Sequence, residues 1–154
     1  MHPADDVSLD PLPVWRALVV AHDTTMRAFA AAFKEHRLTV SQYDVLLRLL
    51  QNRPDPIPMG DLAAALLYSS GAATKVVDRL EALGHVRRSR AIHDKRVVLV
   101  ELTQAGLEVA ATAARRHAAD VRRIVGELAS PEEAAHVTAF LERLTLRAAA
   151  DSTS

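Results

Sequence analysis

The stretch HDKRVVLVELTQAG, residues 93–106, constrains this chain more than any other. It opens on mixed charges, continues as a short run of β-formers, and ends as a helix start with Thr103 in capping position. A strand that leaves a charged tip needs a partner on the other side of that tip. His85 to Arg90 supplies it, so residues 85–90 and 97–102 are predicted as paired strands. Upstream, Asp61 to Leu67 reads as one short helix. Ser69 or Ser70 caps a second, which runs to Leu83 and stops at Gly84. Two helices joined by so short a turn form a helix-turn-helix, and a basic-tipped hairpin directly after it is a wing.

The flanks read as helices. Val14, Leu18, His22, Thr25, Phe29 and Phe33 recur at helical spacing and predict a first helix over 14–35. Thr39 and Gln42 form a capping box that opens a second helix to Gln51. Three prolines between Asn52 and Pro58 end it, with a very short strand at 57–59. Leu107, Ala110, Ala114, Ala118, Val121, Val125 and Leu128 set an apolar stripe along a helix over 103–128. Ser130, Pro131 and Glu133 start a last helix over 131–149. The expected fold class is mainly α (α+β), one domain over 1–154. Residues 39–102 make the winged helix, 1–35 and 103–149 a helical dimerisation lobe, and 1–13 and 150–154 flexible ends. The stripes exceed what one small winged helix can cover, so a homodimer is expected.

Composition excludes several functions. The absence of cysteine rules out disulfides and thiolate metal sites. None of the seven histidines makes a pair at i,i+4 or a His-Glu-x-x-His motif, so neither metal nor cofactor is expected. There is no P-loop and no Gly-x-Ser-x-Gly, so no enzyme is expected. The opening residues lack the apolar core of a secretory signal, and no run approaches the ~20 residues needed to span a bilayer. The expectation is a cytoplasmic protein without membrane contact. The formal net charge is zero, but it is unevenly distributed. From His85 to Arg96, five basic residues face the single acid Asp94. Such a segment can hold a polyanion.

The chain resembles the MarR family of transcriptional regulators. The resemblance rests on Leu62-Ala63-x-x-Leu66-x-x-Ser69, on Thr74-x-x-Val77-Asp78-Arg79-Leu80-Glu81-x-x-Gly84-x-Val86-x-Arg88, and on Asp94-x-Arg96 with Leu102-Thr103-x-x-Gly106. Leu38-Thr39-x-x-Gln42-Tyr43 and Pro131-Glu132-Glu133 extend it over nearly the whole chain. It implies a homodimer on a pseudo-palindromic double-stranded DNA operator, with a recognition helix in each major groove and a wing in the minor groove. It also implies response to a small aromatic or phenolic effector, as a repressor. Two departures stand out. Ser69-Ser70-Gly71-Ala72-Ala73 replaces the family's usual Ser-x-Ser-Thr-Val, and Arg90 stands where the family often has an acid.

On this frame the DNA-contacting set is Ser69, Ser70, Gly71, Thr74, Lys75 and Arg79 on the recognition helix, with Arg88, Arg90, His93, Asp94, Lys95 and Arg96 on the wing. The helix start suits a phosphate, while Thr74 and Lys75 lie one turn further toward base edges. Asp94 is expected to shape the tip by accepting from Arg96 or turn amides, and Asp78 and Arg79 can instead bond within the protein. An effector pocket is expected from Trp15, His22, Phe29, Tyr43 and His117, although aromatics and histidines at helical spacing commonly fill a core. The alternative function is a winged-helix architectural or protein-interaction module without a small-molecule effector.

Overall fold

The computed structural model describes residues 10–35, 37–126 and 128–151. His2, His36, most of the expected N-terminal arm and residues 152–154 lie outside the described residues. Nine elements follow in order. They are α1 (Pro11–Glu35), α2 (Val40–Gln51), β1 (Ile57–Pro58), α3 (Met59–Ala65), α4 (Ser70–Ala82), β2 (Val86–Arg90), β3 (Val98–Leu102), α5 (Gln104–Val125) and α6 (Pro131–Asp151). They fall into two compact units that divide between Ala114 and Arg115, within α5.

The predicted helices form, with shifted ends. The first begins at Pro11, so residues 11–13 are not part of a loose arm. Proline costs nothing in a first turn, where the missing N–H has no partner in any case. The Leu12 N–H instead donates to Asp10 Oδ1 at 3.1 Å. At the other end of the chain, α6 continues through Asp151, so Ala150 is helical as well. Helix α5 stops at Val125, short of the expected Leu128, with Gly126 directly after it. The α2 capping box is complete. The Gln42 N–H donates to Thr39 Oγ1 at 3.2 Å, and the Thr39 N–H donates to Gln42 Oε1 at 2.9 Å.

The core of the first unit gathers one face from each element. Phe29 and Phe33 of α1 meet α2, where the Phe33 and Tyr43 rings stack with centroids 4.4 Å apart. Leu46, Leu62, Val77, Leu80, Val86 and Val100 are buried beside them. The three strands form an antiparallel sheet in the order β1-β3-β2. Ile57 pairs with Val100, and Arg88 pairs with Val100 from the other side. Val86 is buried at one end of β2, and strand alternation puts Arg88 on the same face.

Helix α3 covers 59–65 rather than 61–67 because Leu67 adopts a left-handed conformation (φ 55°). Its side chain is 94% exposed, so no packing offsets the conformational cost. An L-residue there loses roughly 1–2 kcal/mol, and glycine at an ordinary position costs roughly 0.5–1 kcal/mol in chain entropy. Leu67→Gly is therefore expected to stabilise the protein by about 0.5–1 kcal/mol. Urea unfolding of the two forms checks this, and a destabilised variant would contradict it.

Candidate nucleic-acid interface

Helix α4 is half sunk into the first unit. Ala73, Val77 and Leu80 are fully buried, while Ser70, Gly71, Ala72, Thr74, Lys75, Asp78 and Arg79 are exposed. Ser69 is the N-cap, its Oγ accepting from the Ala72 N–H at 3.3 Å. The Thr74 hydroxyl donates to the Ser70 carbonyl at 2.8 Å, so its donor is spent on its own helix. The turn before α4 is tied to α2, since the Tyr68 hydroxyl donates to Asp44 Oδ2 at 3.0 Å. Burial pushes the Tyr68 pKa up, with hydrogen bonds to Ser41 (lowering) and Asp44 (raising) as the further causes, so this phenol stays a donor at neutral pH.

Arg88 occupies a different position from its neighbours on the wing. Its side chain is only 23% exposed. Its guanidinium donates to Asp78 at 2.8 Å and to Glu81 at 2.6 Å, and more weakly to the Thr74 carbonyl at 3.4 Å. The Arg88 backbone N–H also donates to Glu81 Oε1 at 3.2 Å. One cation thus pairs with both acids on α4, offsetting part of their charge, and joins the wing to the recognition helix. The sequence pattern placed Arg88 in the DNA-contacting set; the structure pairs it with the two acids on α4. Arg87 on the opposite face donates to Glu101 at 2.9 Å.

The wing tip, residues 91–97, is closed by its own backbone. The Ala91 N–H donates to the Val97 carbonyl at 3.1 Å, and the Val97 N–H to the Asp94 carbonyl at 2.9 Å. Arg90 Nη1 donates to the Lys95 carbonyl at 3.0 Å. Asp94 Oδ1 accepts from the Arg96 N–H at 3.0 Å and from Arg96 Nε at 3.2 Å. These bonds to Arg96 hold the Asp94 carboxyl below the usual carboxylate range, so it is an ionised acceptor at neutral pH. His93 and Lys95 share the tip with them.

If Asp94 shapes the tip, removing this acid should weaken DNA binding, although Coulomb's law alone predicts that losing a negative charge tightens it. Both Asp94→Ala and Arg96→Ala are expected to weaken binding, the latter by more than about tenfold. Gel-shift titrations at one fixed salt decide between the two effects; tighter binding by Asp94→Ala would remove the shaping role.

The sequence pattern marked Gly84, Thr103 and Gly106 in the junction behind the wing, but not the bonds that tie them together. The Thr103 hydroxyl donates to the Gly84 carbonyl at 2.6 Å, and the Thr103 N–H donates to the His85 carbonyl at 3.0 Å. Gly84, in the left-handed region (φ 75°), ends α4 there. Thr103 Oγ1 in turn accepts from the Gly106 N–H at 3.0 Å and so caps α5.

The five residues expected at an effector pocket differ in burial and in the unit that holds them. Phe29 and Tyr43 are buried in the core of the first unit. Trp15 is exposed, and so is His22, whose Nδ1 lies 3.2 Å from Asp23 Oδ1. His117 belongs to the second unit.

The chain is similar to known proteins in sequence and fold. The MarR-family profile matches residues 37–97, which span α2 to the wing. The transcriptional regulator MhqR of Bacillus subtilis is 31% identical over 114 residues, covering 74% of this chain and 77% of MhqR. The regulator TtmR of Methylorubrum extorquens is 36% identical over 102 residues, covering 66% of this chain. This chain spans only 51% of the length of TtmR. Among solved structures, AbsC of Streptomyces coelicolor, a MarR-family transcriptional regulator, is 26% identical with a TM-score of 0.86, covering 93% of this chain and 97% of AbsC. With the helix-turn-helix, the braced wing and these relatives together, the chain belongs to the MarR family of winged helix-turn-helix transcriptional regulators.

Proposed function

We propose that this chain is a sequence-specific DNA-binding regulator that works as a homodimer on a pseudo-palindromic operator, and that it represses until a small aromatic or phenolic effector binds. The observation that carries the DNA reading is the pairing of an exposed α4 with a cationic wing tip, joined through Arg88. In this reading α4 enters the major groove with Ser69, Ser70 and Gly71 at the phosphate edge. Thr74, Lys75 and Arg79 lie deeper, toward the bases. Arg90, His93, Lys95 and Arg96 meet the backbone and minor groove, Asp94 shapes the tip, and Arg88 positions the wing. Among the described residues no helix is long and apolar enough to cross a membrane. The proposed compartment is the cytoplasm.

The dimer reading is supported by apolar surface that each unit leaves uncovered. Leu12, Trp15, Val19 and Val20 are exposed on α1, and Val137, Phe140, Leu141 and Leu146 on α6. Helix α6 buries none of its side chains. Long amphipathic helices left this open are normally closed by a partner. The expected result is a dimer at every concentration at which the protein is folded. Sedimentation that finds a folded monomer at micromolar concentration would count decisively against it.

For the effector reading, Trp15 and His22 stand exposed on α1. Genomic fragment selection followed by titration of aromatic acids and phenols tests both parts. A selected operator whose binding no compound weakens leaves a constitutive DNA binder; binding of every fragment alike leaves the architectural alternative.

A further inference from the structure

Two large apolar side chains stand out by exposure among the described residues, Leu67 at 94% and Ile92 at 89%. Leu67 belongs to the helix-turn-helix turn, whereas Ile92 is in the wing tip. In the tip, His93, Asp94, Lys95 and Arg96 follow it, so it is an aliphatic group in a charged loop. It plays no part in closing that loop, which the Ala91, Val97, Asp94 and Arg90 bonds hold through backbone and charge. A polar side chain would cost the fold nothing at this position. The surrounding charge is cationic, with the Arg96 side chain 92% exposed, and it draws a polyanion onto the tip.

We propose that Ile92 is a specificity-determining wedge that enters the operator minor groove and reads the deformability of one base step outside each half-site. This rests on the DNA-binding reading above. Hydrogen-bond readout in the minor groove is degenerate, so an aliphatic group gains little from donor or acceptor pattern there. It gains by parting a base step, and pyrimidine–purine steps part most readily. A rigid tip is what such a wedge requires, since a loose loop would yield before the stacked bases did. The clamp of Asp94 on Arg96 and of Arg90 on the Lys95 carbonyl supplies that rigidity. The occupant is therefore a TA or CA step at a fixed distance from the α4 contact.

The test begins with selection of an operator by the full chain from a randomised duplex library. Affinities are then measured on operators whose flanking step is TA, CA or the stiff AA, at one salt concentration. The wild-type chain is expected to prefer the flexible steps by roughly five- to twentyfold. Ile92→Ala should lose that preference to within about twofold while binding the AA operator nearly as well as wild type, and Ile92→Leu should keep it. A 2-aminopurine placed at the step should brighten on binding the wild-type chain but not Ile92→Ala. Equal loss by Ile92→Ala on all three operators, or an unchanged preference, overturns the wedge and leaves the DNA reading intact. Failure of the wild-type chain to select any sequence overturns both.

Discussion

Gly106→Ala is expected to lower the stability of the chain by about 4 kcal/mol, at the upper end of what single substitutions do. A Cβ at this position would overlap the carbonyl oxygen of His85 and lie 2.7 Å from its carbonyl carbon. Both atoms are backbone, so no rotamer change relieves the overlap. Relief requires the start of α5 to move away from the end of α4, which breaks the Thr103 bonds to Gly84 and His85. Helix propensity favours alanine here by roughly 1 kcal/mol, and the overlap outweighs it. Gly71 is the matched control, since nothing lies within 4 Å of a Cβ there. Gly71→Ala should be neutral or stabilising by up to about 1 kcal/mol. Chemical unfolding of both variants is the measurement. Similar stabilities would mean that α5 is not held against the α4 end as described.

Arg88→Ala is expected to weaken operator binding by more than about tenfold without Arg88 touching DNA. Its removal leaves Asp78 and Glu81 unneutralised beside a polyanion and unties the wing from α4. A phosphate contact would predict the same loss, so the single variant decides nothing. The double-mutant cycle does. If Arg88 acts through the two acids, its truncation should cost much less in an Asp78→Asn, Glu81→Gln background. A cost equal in both backgrounds would show a direct phosphate contact and refute the bracing role.

The element order and the winged helix were legible in the chain because their signals are local. Capping side chains, a stopping glycine, prolines and period-two or period-3.6 apolar spacing all act between residues a few positions apart. Thr39 with Gln42, and Gly84 after α4, could be read in this way. The first turn of α1 carries a local signal too, since prolines at 11 and 13 suit the start of a helix.

The direction of Arg88 was not readable from composition, because charge alone marks both a brace and a phosphate contact. It follows from the register of β2 on β3, which pairs Arg88 with buried Val100 and faces it toward two acids on α4. The roles of Gly106 and Leu67 depend in the same way on distant partners. Gly106 is required by a His85 carbonyl that chain order leaves 21 residues away. Leu67 sits in a conformation set by where α3 must end and α4 begin, against its own preference. Sequence by itself determined which elements form and the cationic character of the tip. Tertiary structure decided which cations are paired within the protein, because an arginine's free energy depends on the carboxylates within reach, and only packing brings those carboxylates near.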